Sequence, residues 1–195
     1  MTSLKPYKDD LYKLWDEFWG CQKDEEKSRA EKIQSFIKAL DYSDAEDFYL
    51  WGLSVYSESS QDSLDDSHKL FLKSLGSEED YYLARLYSAH CFHDKGNYLE
   101  ALAEYLKVDQ ERLKQEMPIW RWVKLLEQIG FCYVKIGRLN EAVPYFESVI
   151  KSYLSYKDNE LVPVQEAYEC LPKDHLLVRR LKEAEEVHFA QPFGA

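Results

Sequence analysis

An all-α fold is predicted by three features of this chain. Apolar residues recur at helical spacing almost throughout, and a strand's strict alternation competes nowhere. Large contact side chains are abundant and turn formers scarce, with 15 Tyr, 9 Phe and 5 Trp against 7 Gly and 6 Pro. That balance leaves little chain for loops and favours long helices with short links. Capping residues followed three positions on by an acid stand at Ser43 and Glu46, Ser63 and Asp66, Ser77 and Asp80, and Asn97 and Glu100. Such pairs mark helix starts because the two side chains can satisfy backbone N–H groups that the first turn leaves open.

Taken in order, Leu11, Leu14, Trp15, Phe18 and Trp19 predict a helix over 5–20, with Trp15 and Trp19 one turn apart in a core stripe. Ile33, Phe36, Ile37 and Leu40 predict the next, over 27–40. Ser43 opens a helix over 44–58 and Ser63 one over 63–75, the polar stretch 57–66 being read as the loop that joins them. Ser77 caps a helix over 78–94, which carries Leu83, Leu86, Tyr87 and His90 on one face and is closed by Gly96. Asn97 opens 98–114, and Pro118 stands at the start of 118–136, which Gly137 closes. Pro144 and Pro163 fall near the first turns of 139–156 and 160–170, where a missing N–H is tolerated, and Pro172 precedes 174–189. Links this short make consecutive helices antiparallel neighbours.

Two stretches of the chain match each other without gaps. In the first, Ala89 and Phe92 precede Gly96-Asn97-Tyr98-Leu99-Glu100-Ala101, then Tyr105 and Val108. In the second, Gly130 and Tyr133 precede Gly137-Arg138-Leu139-Asn140-Glu141-Ala142, then Phe146 and Val149, with Cys91 and Cys132 also in register. Ala101 and Ala142 let two helices approach, Tyr105 and Phe146 fill the space one turn on, and the glycines supply the turn. These residues resemble the tetratricopeptide repeat. The resemblance implies a right-handed α-solenoid of antiparallel helix pairs in one domain spanning 1–195: degenerate pairs over 5–75, clearer repeats over 82–155 and capping helices over 160–190. The glycines stand 41 residues apart, against about 34 in the family, and the surplus is assigned to a second helix elongated through Val108 to Leu113. An earlier, weaker unit retains Trp51-Gly52 and Tyr56, then Phe71 and Leu75.

The formal charge of −11 argues against binding nucleic acid by phosphate neutralisation or a membrane by a basic face. Residues 41–80 hold 2 bases against 11 acids, so the acidity is local. Asp44, Glu46, Asp47, Glu78, Glu79 and Asp80 fall in predicted first turns, where the helix dipole favours them, whereas Asp62, Asp65 and Asp66 mark an acidic loop suited to a basic partner. No apolar run reaches bilayer length, and the opening residues do not read as a signal peptide, so a cytoplasmic protein is expected. The four cysteines show no C-x-x-C pair and are read as reduced and packed.

Phosphate-binding, dinucleotide-binding and nucleophile-elbow motifs are all absent from the sequence. His90 and His93, at i and i+3, are the candidates for a metal site or a catalytic base, but no third ligand has diagnostic spacing. Neither a metal nor a cofactor is therefore expected. The resemblance implies a concave face built from the first helix of each pair, which places Glu46, Tyr49, Leu53 and Tyr56, then Leu83, Leu86, His90 and His93, then Lys124, Glu127, Phe131 and Val134 toward a bound protein. The chain's own terminal helices are the competing occupant of that face. Trp120 and Trp122, two apart on a helix, cannot both face the same way. The expected function is non-catalytic: sequestration or scaffolding of a partner protein through the concave face and acidic loop, as an immunity protein neutralising a toxin or as a chaperone. The alternative is an enzyme or metal-binding protein using His90 and His93.

Overall fold

The computed structural model describes residues 32, 33, 35, 44–57, 60–156 and 161–190. The predicted helix over 5–20 lies outside them, as do Trp15, Trp19 and Cys21; of the one over 27–40, residues 32, 33 and 35 are described and are helical. The described residues form nine helices and no strand. These are α1 (Ala45–Tyr56), α2 (Gln61–Ser77), α3 (Tyr82–Asp94), α4 (Tyr98–Tyr105), α5 (Gln110–Glu116), α6 (Ile119–Lys135), α7 (Leu139–Ser155), α8 (Glu166–Cys170) and α9 (Leu176–Phe189). They divide into two compact units between Ala84 and Arg85, within α3.

In the first unit α1 starts at Asp44, whose carboxylate accepts the Asp47 N–H at 2.9 Å. Glu46 and Asp47 lie in the first turn, as predicted. The loop predicted over 57–66 is corrected. Ser60 accepts the Ser63 N–H at 3.1 Å while the Ser63 hydroxyl accepts the Ser60 N–H at 2.8 Å, and this reciprocal cap starts α2 at Gln61. Asp62, Asp65 and Asp66 are therefore helical. The next predicted start is corrected too: α2 runs on through Ser77, so Glu78 sits at its C-terminal cap, where the dipole opposes a negative charge, and α3 begins only at Tyr82. The α1–α2 pair is locked by Gly52, because a Cβ there would stand 2.5 Å from the Phe71 ring, and by the Ser74 hydroxyl donating to the Ala45 carbonyl at 2.6 Å.

In the second unit the same interlock recurs between α6 and α7, where a Cβ on Gly130 would meet the Phe146 ring at 2.9 Å. Ala89 and Tyr105, which match them in sequence, are both fully buried. Gly96 and Gly137 take φ of 77° and 79°. Each is followed by the pair of bonds that ends a helix on a left-handed residue: Asn97 N–H to Phe92 and Gly96 N–H to His93, then Arg138 N–H to Tyr133 and Gly137 N–H to Val134.

The single elongated helix predicted over 98–114 is instead two. The chain turns after Tyr105, and the Asp109 carboxylate caps α5 by accepting the Arg112 N–H at 3.0 Å, an alternative to helix continuation that aspartate offers readily. The predicted helix over 160–170 shortens to α8, with 161–165, including Pro163, in non-helical backbone. Around α7 a core gathers Val123, Leu126, Phe146, Val149, Leu161, Val164, Leu177 and Leu181. Trp120 and Trp122 both pack partly against it, with Arg121 4.9 Å from the Trp120 ring and Lys114 4.5 Å from that of Trp122.

Candidate functional site

The residues predicted to form the inner face of the second unit meet a segment of their own chain. The short helix α8 packs on α6. Its Ala167 N–H donates to Glu127 Oε1 at 3.1 Å, and Lys124 Nζ lies between Glu127 Oε2 at 2.8 Å and Glu166 Oε2 at 2.9 Å. The other Glu166 oxygen stands 3.6 Å from His93 Nε2, and His93 Nδ1 stands 3.2 Å from Asp94 Oδ1. Lys124 and Glu127 share a face of α6 because they are three apart, while Glu166 arrives from 42 residues away in sequence.

Burial governs the charges here. The Glu127 side chain is 1% exposed, and desolvation pushes its carboxyl above the ordinary range against the pull of Lys124. For Lys124 burial is the largest single influence and lowers it, but the carboxylates of Glu127 and Glu166 together carry the ammonium above its usual value. One cation thus holds two carboxylates, and the backbone N–H of α8 supplies the bond that Glu127 otherwise lacks.

His90 and His93 have separate attachments. His90 Nδ1 shares a 2.6 Å hydrogen bond with the Tyr105 hydroxyl, and burial holds the imidazole down to about 3, so it is neutral at pH 7. His93 packs among Tyr98, Tyr105 and Phe131. Among the described residues no three His, Cys, Asp or Glu side chains converge as a metal ion would require. Cys91, Cys132 and Cys170 are free thiols; burial pushes Cys132 and Cys170 up to about 12, where little thiolate forms at neutral pH.

Several members of the predicted face are corrected by this packing. Tyr49 is buried against Phe71 and Tyr81, and Leu86, His93, Glu127 and Phe131 are buried as well, so none of the five is open surface. Glu46, Leu53, Tyr56, His90, Lys124 and Val134 are half-buried. Asp62, Asp65 and Asp66 are exposed, on a helix rather than a loop, with Asp66 paired to Lys69 at 2.7 Å.

Two residues that the sequence did not single out organise the second unit. Glu166 completes the Lys124 pair. Glu185 accepts the Val164 N–H at 2.8 Å, the Tyr168 hydroxyl at 2.6 Å and the Tyr153 hydroxyl at 3.2 Å, tying α7, α8 and α9 together. Both act over tens of residues, and no local pattern marks them. An open groove of about 340 Å³ lies between α7 and α9, lined by Glu147, Ser148, Ile150, Lys151, Leu154 and Arg180, with Glu147 already bonded to Arg180. Among the described residues no helix is long and apolar enough to cross a membrane. None of the family models, curated proteins or solved structures compared with this chain matches it.

Proposed function

We propose that this chain is a non-catalytic, cytoplasmic protein-binding module of tetratricopeptide-like helix pairs in a right-handed solenoid, and that it sequesters or scaffolds a basic partner protein. One observation carries the reading. Residues 41–80 hold 2 bases against 11 acids, and Asp62, Asp65, Asp66, Glu78, Glu79 and Asp80 are all exposed. A concentrated acidic surface speeds encounter with a basic partner and selects against an acidic one. The half-buried Leu53 and Tyr56 of α1 offer apolar contact area in the same unit. Lys124, Glu127 and His93 of the second unit, which meet Glu166 and Ala167 of α8, are not assigned to the partner on this reading. Such a module acts by occupying its partner, as an immunity protein does a toxin or a chaperone its client.

Affinity purification of the tagged chain followed by mass spectrometry tests this. A single stoichiometric basic protein is expected, lost on raising salt and in the Leu53→Ala, Tyr56→Ala double variant. A chain that captures nothing at low salt, or an acidic partner indifferent to both treatments, contradicts the proposal.

A further inference from the structure

At the junction of α3, α4 and α6 three rings form a compact group. The centroids of His93 and Phe131 are 5.1 Å apart, those of His93 and Tyr98 5.7 Å, and those of Tyr98 and Phe131 5.5 Å. Local sequence explains the assembly: Tyr98 is the first residue of α4, delivered by the Gly96 turn that ends α3 only three residues beyond His93. Lys135 lies one turn beyond Phe131 on α6, and its exposed side chain reaches over the group. Its ammonium stands 4.9 Å from the Phe131 centroid and 5.9 Å from that of Tyr98.

Two ring faces within about 6 Å of one ammonium make the geometry by which proteins recognise cations, through the negative potential above each ring. Other cations of this unit rest on single rings, as Lys114 on Trp122, Arg121 on Trp120 and Arg138 on Tyr133. The carboxylates of Asp94 and Glu166 stand 3.2 and 3.6 Å from the His93 nitrogens, Glu166 being paired also with Lys124 at 2.9 Å. A water-exposed ammonium over aromatic rings is held weakly. A guanidinium, planar and less strongly hydrated, stacks on the same faces more favourably.

We propose that Tyr98 and Phe131 form a seat for a cationic side chain of a bound protein, an arginine or lysine; Lys135 fills it in the free chain, where Phe131 is 5% exposed, and swings aside to open it. The owner of that cation rests on the protein-binding reading above; the seat does not.

The test uses the full chain and two small probes, tetramethylammonium chloride and N-acetyl-arginine amide, each titrated at constant ionic strength against sodium chloride. Binding is followed by the aromatic NMR signals of Tyr98 and Phe131. Lys135→Met keeps the apolar stem and removes the charge, and is expected to bind both probes about three- to fivefold more tightly than the unaltered chain. Adding Tyr98→Leu to that variant is expected to abolish most of the gain while the unfolding curve keeps its shape. If the ring signals of Lys135→Met respond to neither probe beyond the sodium chloride control, or if affinity survives Tyr98→Leu, the seat is overturned. Those outcomes leave the protein-binding reading standing, and a chain that captures no protein leaves the seat standing.

Discussion

Gly130 occupies a helix interior, where glycine is worth about 1 kcal/mol less than alanine, yet alanine does not fit. Its Cβ would stand 2.9 Å from the ring of Phe146, which is itself fully buried and cannot step aside. Overpacking outweighs the gain in helix propensity, so Gly130→Ala is expected to lower stability by about 1–3 kcal/mol in urea unfolding, with part recovered by adding Phe146→Leu. His90 sets a pH dependence whose sign follows from its neutral state. Its folded value is about 3 against 6.5 for the ordinary group, so below 6.5 the unfolded chain takes up a proton that the folded chain refuses. Stability present above pH 6.5 is lost as pH falls toward 3, by about 2 kcal/mol between pH 7 and 5. Glu127, raised by burial, works in the opposite direction, so the readout is the difference between the unaltered chain and His90→Gln. The variant should lose this component of the slope; a parallel pH profile for the two would show that His90 does not set it.

Helices α1, α6, α7 and α9 were legible because each carries an apolar stripe at helical spacing and a clear end, such as Gly137 after α6. The elements that differed did so through local capping contests. Ser60 captured the start of α2 from Ser63, and Asp109 broke the long helix predicted over 98–114. The fate of α8 was invisible to pattern because five residues make too short a helix to hold itself together, and it depends on groups supplied by α6 and α9. Glu185 is the largest of those dependencies. Replacing it with alanine removes the acceptor for Val164 and Tyr168 at once, while the Tyr153 hydroxyl keeps its 2.6 Å bond to the Val162 carbonyl. Glu185→Ala is expected to destabilise by about 2–4 kcal/mol, and amide exchange at Val164 and Ala167 should quicken ahead of exchange at Val149 in α7. Equal acceleration at all three amides would mean that Glu185 supports the unit as a whole rather than residues 161–165 and α8.

Charge is divided unequally along the molecule: all but two of the net negative charges fall within residues 41–80. Long-range attraction of that kind acts on association rate and fades with salt, whereas buried contacts act on dissociation. Neutralising Asp62, Asp65 and Asp66 together to asparagine is therefore expected to slow binding of a basic partner about tenfold at low salt and to flatten its salt dependence, with little change in dissociation. Stopped-flow or surface measurements at two salt concentrations would show it, and an unchanged rate would mean that this face of α2 is merely solvated. By itself the sequence determined the helical class, the two glycine turns and where the acid lies. Each is a short-range property, carried by spacing of a few residues or by simple composition. Tertiary structure alone decided which of the predicted inner residues are covered. Lys124, Glu127 and His93 meet Glu166 and Ala167 across about forty residues or more, and a pairing at that separation is set by how the helices stack rather than by any periodicity within one of them.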